Sequence, residues 1–206
     1  MSAGSRPPGT GESTARERML ERIHAANAAR AATEHPGDFG GWRPHPPGVH
    51  PVAGFIAMFT AAGGEVVQTA DDAAATAWLS GFAEDFASIS LGVGVPPEVA
   101  PDRPRERADT AALGVSAGRA AIAETGSLVL DARDGRRAQL LVPVHVVLVR
   151  EKDVHATARE ALLHMRADLP AALGLHSGPS KSADIGQVMV KGVHGPGRVI
   201  AVLIRG

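Results

Sequence analysis

Two short stretches of this chain carry residue types that do chemistry, at spacings that would expose them. The first is Gly114-Val-Ser-Ala-Gly-Arg-Ala-Ala-Ile-Ala-Glu-Thr-Gly-Ser127, which sets a carboxylate beside a glycine-rich bend. Glu124, followed by Thr125 and Gly126, would there be a nucleophile, a general base or an anchor for a ligand hydroxyl. The plainer role is a helix cap or a partner for Arg119. The second is Ser177-Gly-Pro-Ser-Lys-Ser-Ala-Asp184, placed after a short strand and before an expected helix. Free N–H groups at a helix start, the Ser180 and Ser182 hydroxyls and the Lys181 ammonium, with Gly178 for close approach, would cradle an anion. Asp184 and Gln187 resemble a capping box at the same place, and capping and anion binding use the same groups.

Other constellations are weaker. Gly192-Val-His-Gly-Pro196 allows tight bends that hold His194 and Gly195 near backbone. His145, His155, His164 and His176 lack a metal-ligand spacing, so no metal is expected, and His145 reads as a core histidine. Gly92-Val-Gly94 matches half of a dinucleotide fingerprint, but Pro97 takes the place of the third glycine. The Ser177–Asp184 stretch lacks P-loop spacing.

Positioning these groups falls to an aromatic-poor core. The 206 residues are 44% hydrophobic and 3% aromatic, so Ala, Val, Leu and Ile must fill the interior. A chain of this length buries roughly 70% of its unfolded surface around one core. Net charge is −1, from 21 basic and 22 acidic residues, too balanced to draw in nucleic acid or an anionic membrane. Without cysteine the chain has no disulfide, thiolate nucleophile or Cys-held cluster. Neither a signal core nor a run of ~18 apolar residues is present, and a cytoplasmic protein is expected.

Residues 1–13 read as a disordered tail. Thr14 to about Arg30 reads as an amphipathic helix capped by Ser13 or Thr14, with Met19, Leu20 and Ile23 on one face. That narrow stripe suits the domain, a partner subunit or a second copy of the chain. Thr33–Pro51, with five Pro, three His and Trp42, reads as a long irregular loop. Residues 51–206 then alternate. Helices are expected over 52–62, from Asp71 or Asp72 past Phe82, over 154–166, 168–173 and 182–190. Residues 117–121 read as one or two helical turns. Strands are expected over 65–68, 88–95, 113–115, 144–149, 175–177 and 198–204, and a hairpin over 127–142 around Asp134-Gly135. The expected fold is α/β: a mainly parallel Rossmann-like sheet with helices on both faces, a local β-hairpin and an N-terminal helical arm.

Four segments taken in order resemble the lactate-utilisation protein C family and its LUD domain. They are Gly114–Leu130 around Ile122-Ala-Glu-Thr-Gly126, Leu140–Val149 with Pro143 and His145, Ser177–Ile185, and Gly192–Pro196. The resemblance implies the sheet shared by CoA-transferases, ribose-5-phosphate isomerase and formyltetrahydrofolate cyclo-ligase. It also implies a place in bacterial oxidation of L-lactate to pyruvate, beside partner proteins that carry iron–sulfur clusters. No cofactor is then expected in this chain, and the resemblance itself assigns no catalytic residue. The alternative is an enzyme or binding protein for a small anionic carboxylate, acyl or nucleotide ligand, with Glu124 and Lys181 facing one cleft.

Overall fold

A computed structural model describes residues 14–28, 50–183 and 189–206. The tail, the 33–49 loop and Asp184 lie outside the described residues. The chain divides into two units, 1–44 and 45–206. In the first, helix α1 (Ala15–Ala28) starts at a capping box, with the Glu17 N–H donating to Thr14 Oγ1 (3.3 Å) and Thr14 N–H to Glu17 Oε2 (2.7 Å). Met19, Leu20 and Ile23 are exposed on it.

The second unit contains α2 (Pro51–Ala61), β1 (Glu65–Thr69), α3 (Asp72–Ala83), β2 (Ile89–Leu91), β3 (Leu113–Ala117), β4 (Ala120–Ile122) and β5 (Ser127–Asp131). After these come α4 (Arg136–Leu140), β6 (Val144–Arg150), β7 (Val154–His155), α5 (Ala158–Met165), β8 (Leu173–His176), β9 (Lys181–Ala183), β10 (Met189–Lys191) and β11 (Arg198–Ile204). Five strands form a wholly parallel central sheet in the order β1-β11-β6-β3-β2, with Ile200 opposite Val146 and Val146 opposite Val115. Both faces are buried, which is why β6 and β11 are nearly unbroken apolar runs.

On one face Val146, Leu148, Ile200 and Val202 pack with Ala75, Leu79 and Ala83 of α3. Asp71 caps that helix, accepting the Ala74 N–H at 2.8 Å. On the other, Val147, Val149, Ala201 and Leu203 meet Phe55 and Phe59 of α2, whose rings stack at 5.2 Å. Pro51 opens α2, and Gly63, at φ +86°, closes it by donating to the Thr60 carbonyl at 2.8 Å. The same cluster includes Ala121, Leu128 and Leu130 from a second, four-stranded sheet of order β7-β4-β5-β8, and Ala123 from the turn after β4. Ala120, Ile122 and Val129 on its far side pack against Ala161 and Met165 of α5.

The second sheet corrects several expectations. Residues 120–122 are strand rather than helical turn, because small alanines here are buried between layers and tertiary packing overrides helix propensity. The hairpin exists one step earlier: β4 pairs antiparallel with β5, Ile122 opposite Ser127, and Ala123–Gly126 is its turn. Residues 136–140 form the short α4 instead of a return strand. The expected 154–166 helix starts at Ala158, since Val154 and His155 pair with β4. Pro170 stops a helix over 168–173, leaving a short 3-10 turn, Arg166–Asp168. In place of the 182–190 helix, β9 and β10 pair antiparallel, Ser182 opposite Val190.

Gly126 fixes how closely the hairpin approaches α2. It sits at φ +59°, and a Cβ there would lie 2.5 Å from the Phe59 nitrogen and 2.6 Å from the Met58 carbonyl carbon. Backbone cannot yield as a side-chain tip does. Gly126→Ala is expected to destabilise the fold by about 2–4 kcal/mol, from left-handed strain plus overpacking. Urea unfolding checks this, and a change within ~0.5 kcal/mol, as for an ordinary surface substitution, would contradict it.

Candidate functional site

Three of the stretches singled out by sequence, around Thr125-Gly126, Ser177–Lys181 and His194-Gly195, gather near the last turn of α2, at the amino ends of the central strands. Gly126 packs on Met58 and Phe59, and Gly178, at φ +85°, faces the Ala62 carbonyl. Lys181 Nζ donates to that same carbonyl. A chain of hydroxyls links the two motifs: Thr125 Oγ1 to Ser127 Oγ at 2.7 Å, and Ser127 Oγ to Ser177 Oγ at 2.6 Å. Ser180 meets the third motif, its N–H donating to the Pro196 carbonyl (2.8 Å) and its Oγ accepting the His194 N–H (3.4 Å). Gly195 lies against the Ser180 side chain. The Ser177–Asp184 stretch does follow a strand, β8, but that strand belongs to the second sheet, and the groups around it stand at the amino ends of the central strands, where Gly63-Gly64 leads into β1 and Gly197 into β11.

Helix ends engage the charged members of this set. Glu124 Oε1 accepts the Ala158 N–H at 2.7 Å, at the start of α5, where Thr157 Oγ1 also takes the Glu160 N–H at 3.2 Å. Arg119 pairs elsewhere. The Lys181 ammonium sits at the carboxyl end of α2, where a cation complements the helix dipole. Ser182 lies in the β9–β10 ladder, so the helix start expected to bind an anion at Ser180–Ser182 is replaced by strand.

The opposite rim, at the carboxyl ends of the central strands, is where ligands enter open α/β sheets. There a cavity of about 320 Å³ lies between the Val93-Gly94 turn after β2, the Ala117-Gly118-Arg119 link after β3, and Asp131, Arg133, Asp134 and Asp168. A smaller one of about 180 Å³ shares Gly94, Ala117 and Gly118 and reaches the Arg150–Asp72 ion pair. Gly92-Val-Gly94, read as half a nucleotide fingerprint, is a cradle for Asp134. Gly94 N–H donates to Asp134 Oδ1, and a Cβ on Gly92 would collide with Oδ2. Burial pushes this carboxyl up, opposed by the Gly94 N–H and, beyond it, the Ser116 hydroxyl.

Beside it, Arg119 and Arg133 clamp two carboxylates. Arg119 Nη1 is 3.2 Å from Asp131 and 3.0 Å from Asp168; Arg133 is 2.6 Å and 2.7 Å from the same pair. The Arg133 guanidinium holds the Asp131 carboxyl below its usual range, and Arg133 with Arg119 brings Asp168 down to about 2. In the interior, near the start of β6, His145 is fully buried, its Nε2 2.9 Å from Ser116 Oγ and its Nδ1 without a partner. Burial, with His176 nearby, lowers its pKa to about 3. Among the described residues, no three His, Asp or Glu side chains are grouped as a metal ion would need.

The carboxyl rim was hidden in the sequence because Asp134-Gly135 is equally a turn dipeptide, and Asp131, Arg133 and Asp168 carry no motif. The visible signal was the pair of glycines at 92 and 94, whose purpose is a carboxylate from 40 residues away.

A family model described as the LUD domain matches residues 98–204. The chain is 38% identical over 104 residues to a "Lactate utilization protein C" of Deinococcus radiodurans, covering 48% of each chain. A protein of the same name from Bacillus licheniformis is 30% identical over 151 residues, 69% of this chain and 63% of the relative. The matched stretch thus spans about half the length of the first of these relatives. The crystal structure of a DUF162 family protein from Deinococcus radiodurans superposes with a TM-score of 0.59 at 20% identity, over 75% of this chain and 96% of that one, a likeness of fold. Among the described residues no helix is long and apolar enough to cross a membrane.

His145 sets a proton linkage. Its folded pKa of about 3 lies below the ordinary 6.5, so the unfolded chain binds the extra proton and stability falls as pH drops from about 6.5 toward 3. His145→Gln is expected to remove up to about one proton from the slope of unfolding free energy between pH 6 and pH 4. Urea midpoints across that interval measure it, and an unchanged slope would place the linkage elsewhere.

Proposed function

The chain belongs to the LUD domain family, and on that premise we propose that it serves lactate utilisation as a subunit that works beside other proteins. The observation that carries this reading is the family match over residues 98–204, together with relatives named lactate utilization protein C at 30–38% identity. Residues 98–204 contain the second sheet, the Arg119–Asp168 cluster and three of the five central strands.

Oxidation of L-lactate to pyruvate removes two electrons and two protons, so an electron acceptor must be at hand. This chain contains no cysteine to hold an iron–sulfur cluster. We therefore assign electron transfer to iron–sulfur partner subunits and an accessory place to this chain. The engagement of Glu124 and Lys181 at two helix ends supports an architectural role for the amino rim.

Deleting the gene in the organism that carries it is expected to abolish growth on L-lactate as sole carbon source and to leave growth on glucose intact. Affinity purification from lactate-grown cells is expected to recover iron–sulfur proteins with the chain. Normal lactate growth after deletion, with the chain recovered alone, would sink the proposal.

A further inference from the structure

The two-arginine fork on the carboxyl rim holds two carboxylates in unequal settings. Asp131, at the end of β5, has a side chain 7% exposed and is a fixed part of the core edge. Asp168, on the 3-10 turn after α5, is 61% exposed and enters the fork from outside. Its Oδ1 accepts from Arg133 Nη1 at 2.7 Å, while Oδ2 accepts from Arg133 Nη2 and Arg119 Nη1, each at 3.0 Å. This is the forked geometry by which guanidinium groups recognise a planar carboxylate. Charge accounting gives the same division. Asp131 balances one guanidinium, and the second is balanced by Asp168. The adjoining cavity, about 320 Å³, is at the small end of the range for ligand sites. Asp134 on its wall is turned into the Gly92–Gly94 cradle, with Oδ1 held by the Gly94 N–H.

We propose that Arg119 and Arg133 form a binding site for a small monocarboxylate at the carboxyl rim, and that the Asp168 carboxylate occupies it as a built-in competitor. A ligand carboxylate takes the place of Asp168 between the two guanidiniums, with Asp131 remaining as the buried counter-charge. The ligand's short carbon chain lies in the cavity against Val93, Gly94 and Ala117. The fork favours ionised carboxylates, as the lowered Asp168 pKa illustrates. An internal competitor reduces apparent affinity by the fraction of molecules whose fork is open. Removing it therefore tightens binding. This inference rests on the geometry of the rim alone and stands whether or not the chain serves lactate metabolism.

Propanoate is the probe, with chloride at equal ionic strength as the control, read by thermal shift and by isothermal titration on the full chain. Wild-type protein is expected to bind weakly and saturably, and Asp168→Ala to bind at least about tenfold more tightly. Arg133→Gln placed on Asp168→Ala is expected to erase that gain. Asp168→Ser serves as a second opening variant, and circular dichroism reports folding of each. Equal affinity in the wild type and both opening variants would overturn the proposal. So would a gain that survives Arg133→Gln, or one that chloride reproduces. Loss of the folded state in both Asp168 variants would make Asp168 a structural strut and equally overturn it.

Discussion

The packing of the second sheet onto the central one is the constraint on which the rest depends. With few aromatics, the shared core is made by Phe55 and Phe59 of α2 wedged among Ala121, Ala123, Ala201 and valines. Alanines on the facing strands let the two sheets come close, and Gly126 lets the hairpin turn rest directly on the α2 backbone. Truncating a buried phenylalanine typically destabilises a protein by ~3–5 kcal/mol, a large fraction of the total for a domain of this size. This contact fixes where both ends of the hairpin arrive. Its turn meets α2 at the amino rim, and the far end of β5 delivers Asp131 to the carboxyl rim.

The two rims differ in what their polar groups have left to do. At the amino rim, Glu124 caps one helix and Lys181 caps another, while Thr125, Ser127 and Ser177 bond one another. At the carboxyl rim, two arginines meet one buried and one exposed aspartate beside a cavity, and Asp134 is held in a glycine cradle. Exposed ion pairs contribute little to stability, about 0–1 kcal/mol each. The Asp168 half of the cluster, 61% exposed, therefore adds little to the stability of the fold, whereas the buried Asp131 carboxylate needs a guanidinium partner.

The sequence was most informative where a local rule and the global fold agree. Gly63 ends α2, Asp71, one of two cap candidates, caps α3, and the apolar runs of β6 and β11 declare a sheet buried on both faces. It misled where packing overrides propensity. Residues 117–121 read as one or two helical turns, and the strand state of Ala120–Ile122 comes from partners at 127–129 and 154–155. The Ser177–Lys181 segment read as a helix start because Ser, Pro and Gly suit a cap, while the chain there enters a short antiparallel ladder. Three motifs noticed in the sequence do meet in space around Ser127, Ser177 and Ser180. The charged cluster was illegible because its members stand at 119, 131, 133 and 168, and only the folded β5 end and the turn after α5 bring them together.

The proposal that this chain binds a small carboxylate at the carboxyl rim rather than the amino rim is open to a direct test. Amide chemical shifts of ¹⁵N-labelled protein, followed through a titration with a small carboxylate, report which rim responds. Shifts concentrated at Gly94, Gly118, Arg119 and Arg133 are the expected result. Shifts concentrated at Gly126, Ser180 and Gly192, with the carboxyl rim silent, would contradict it.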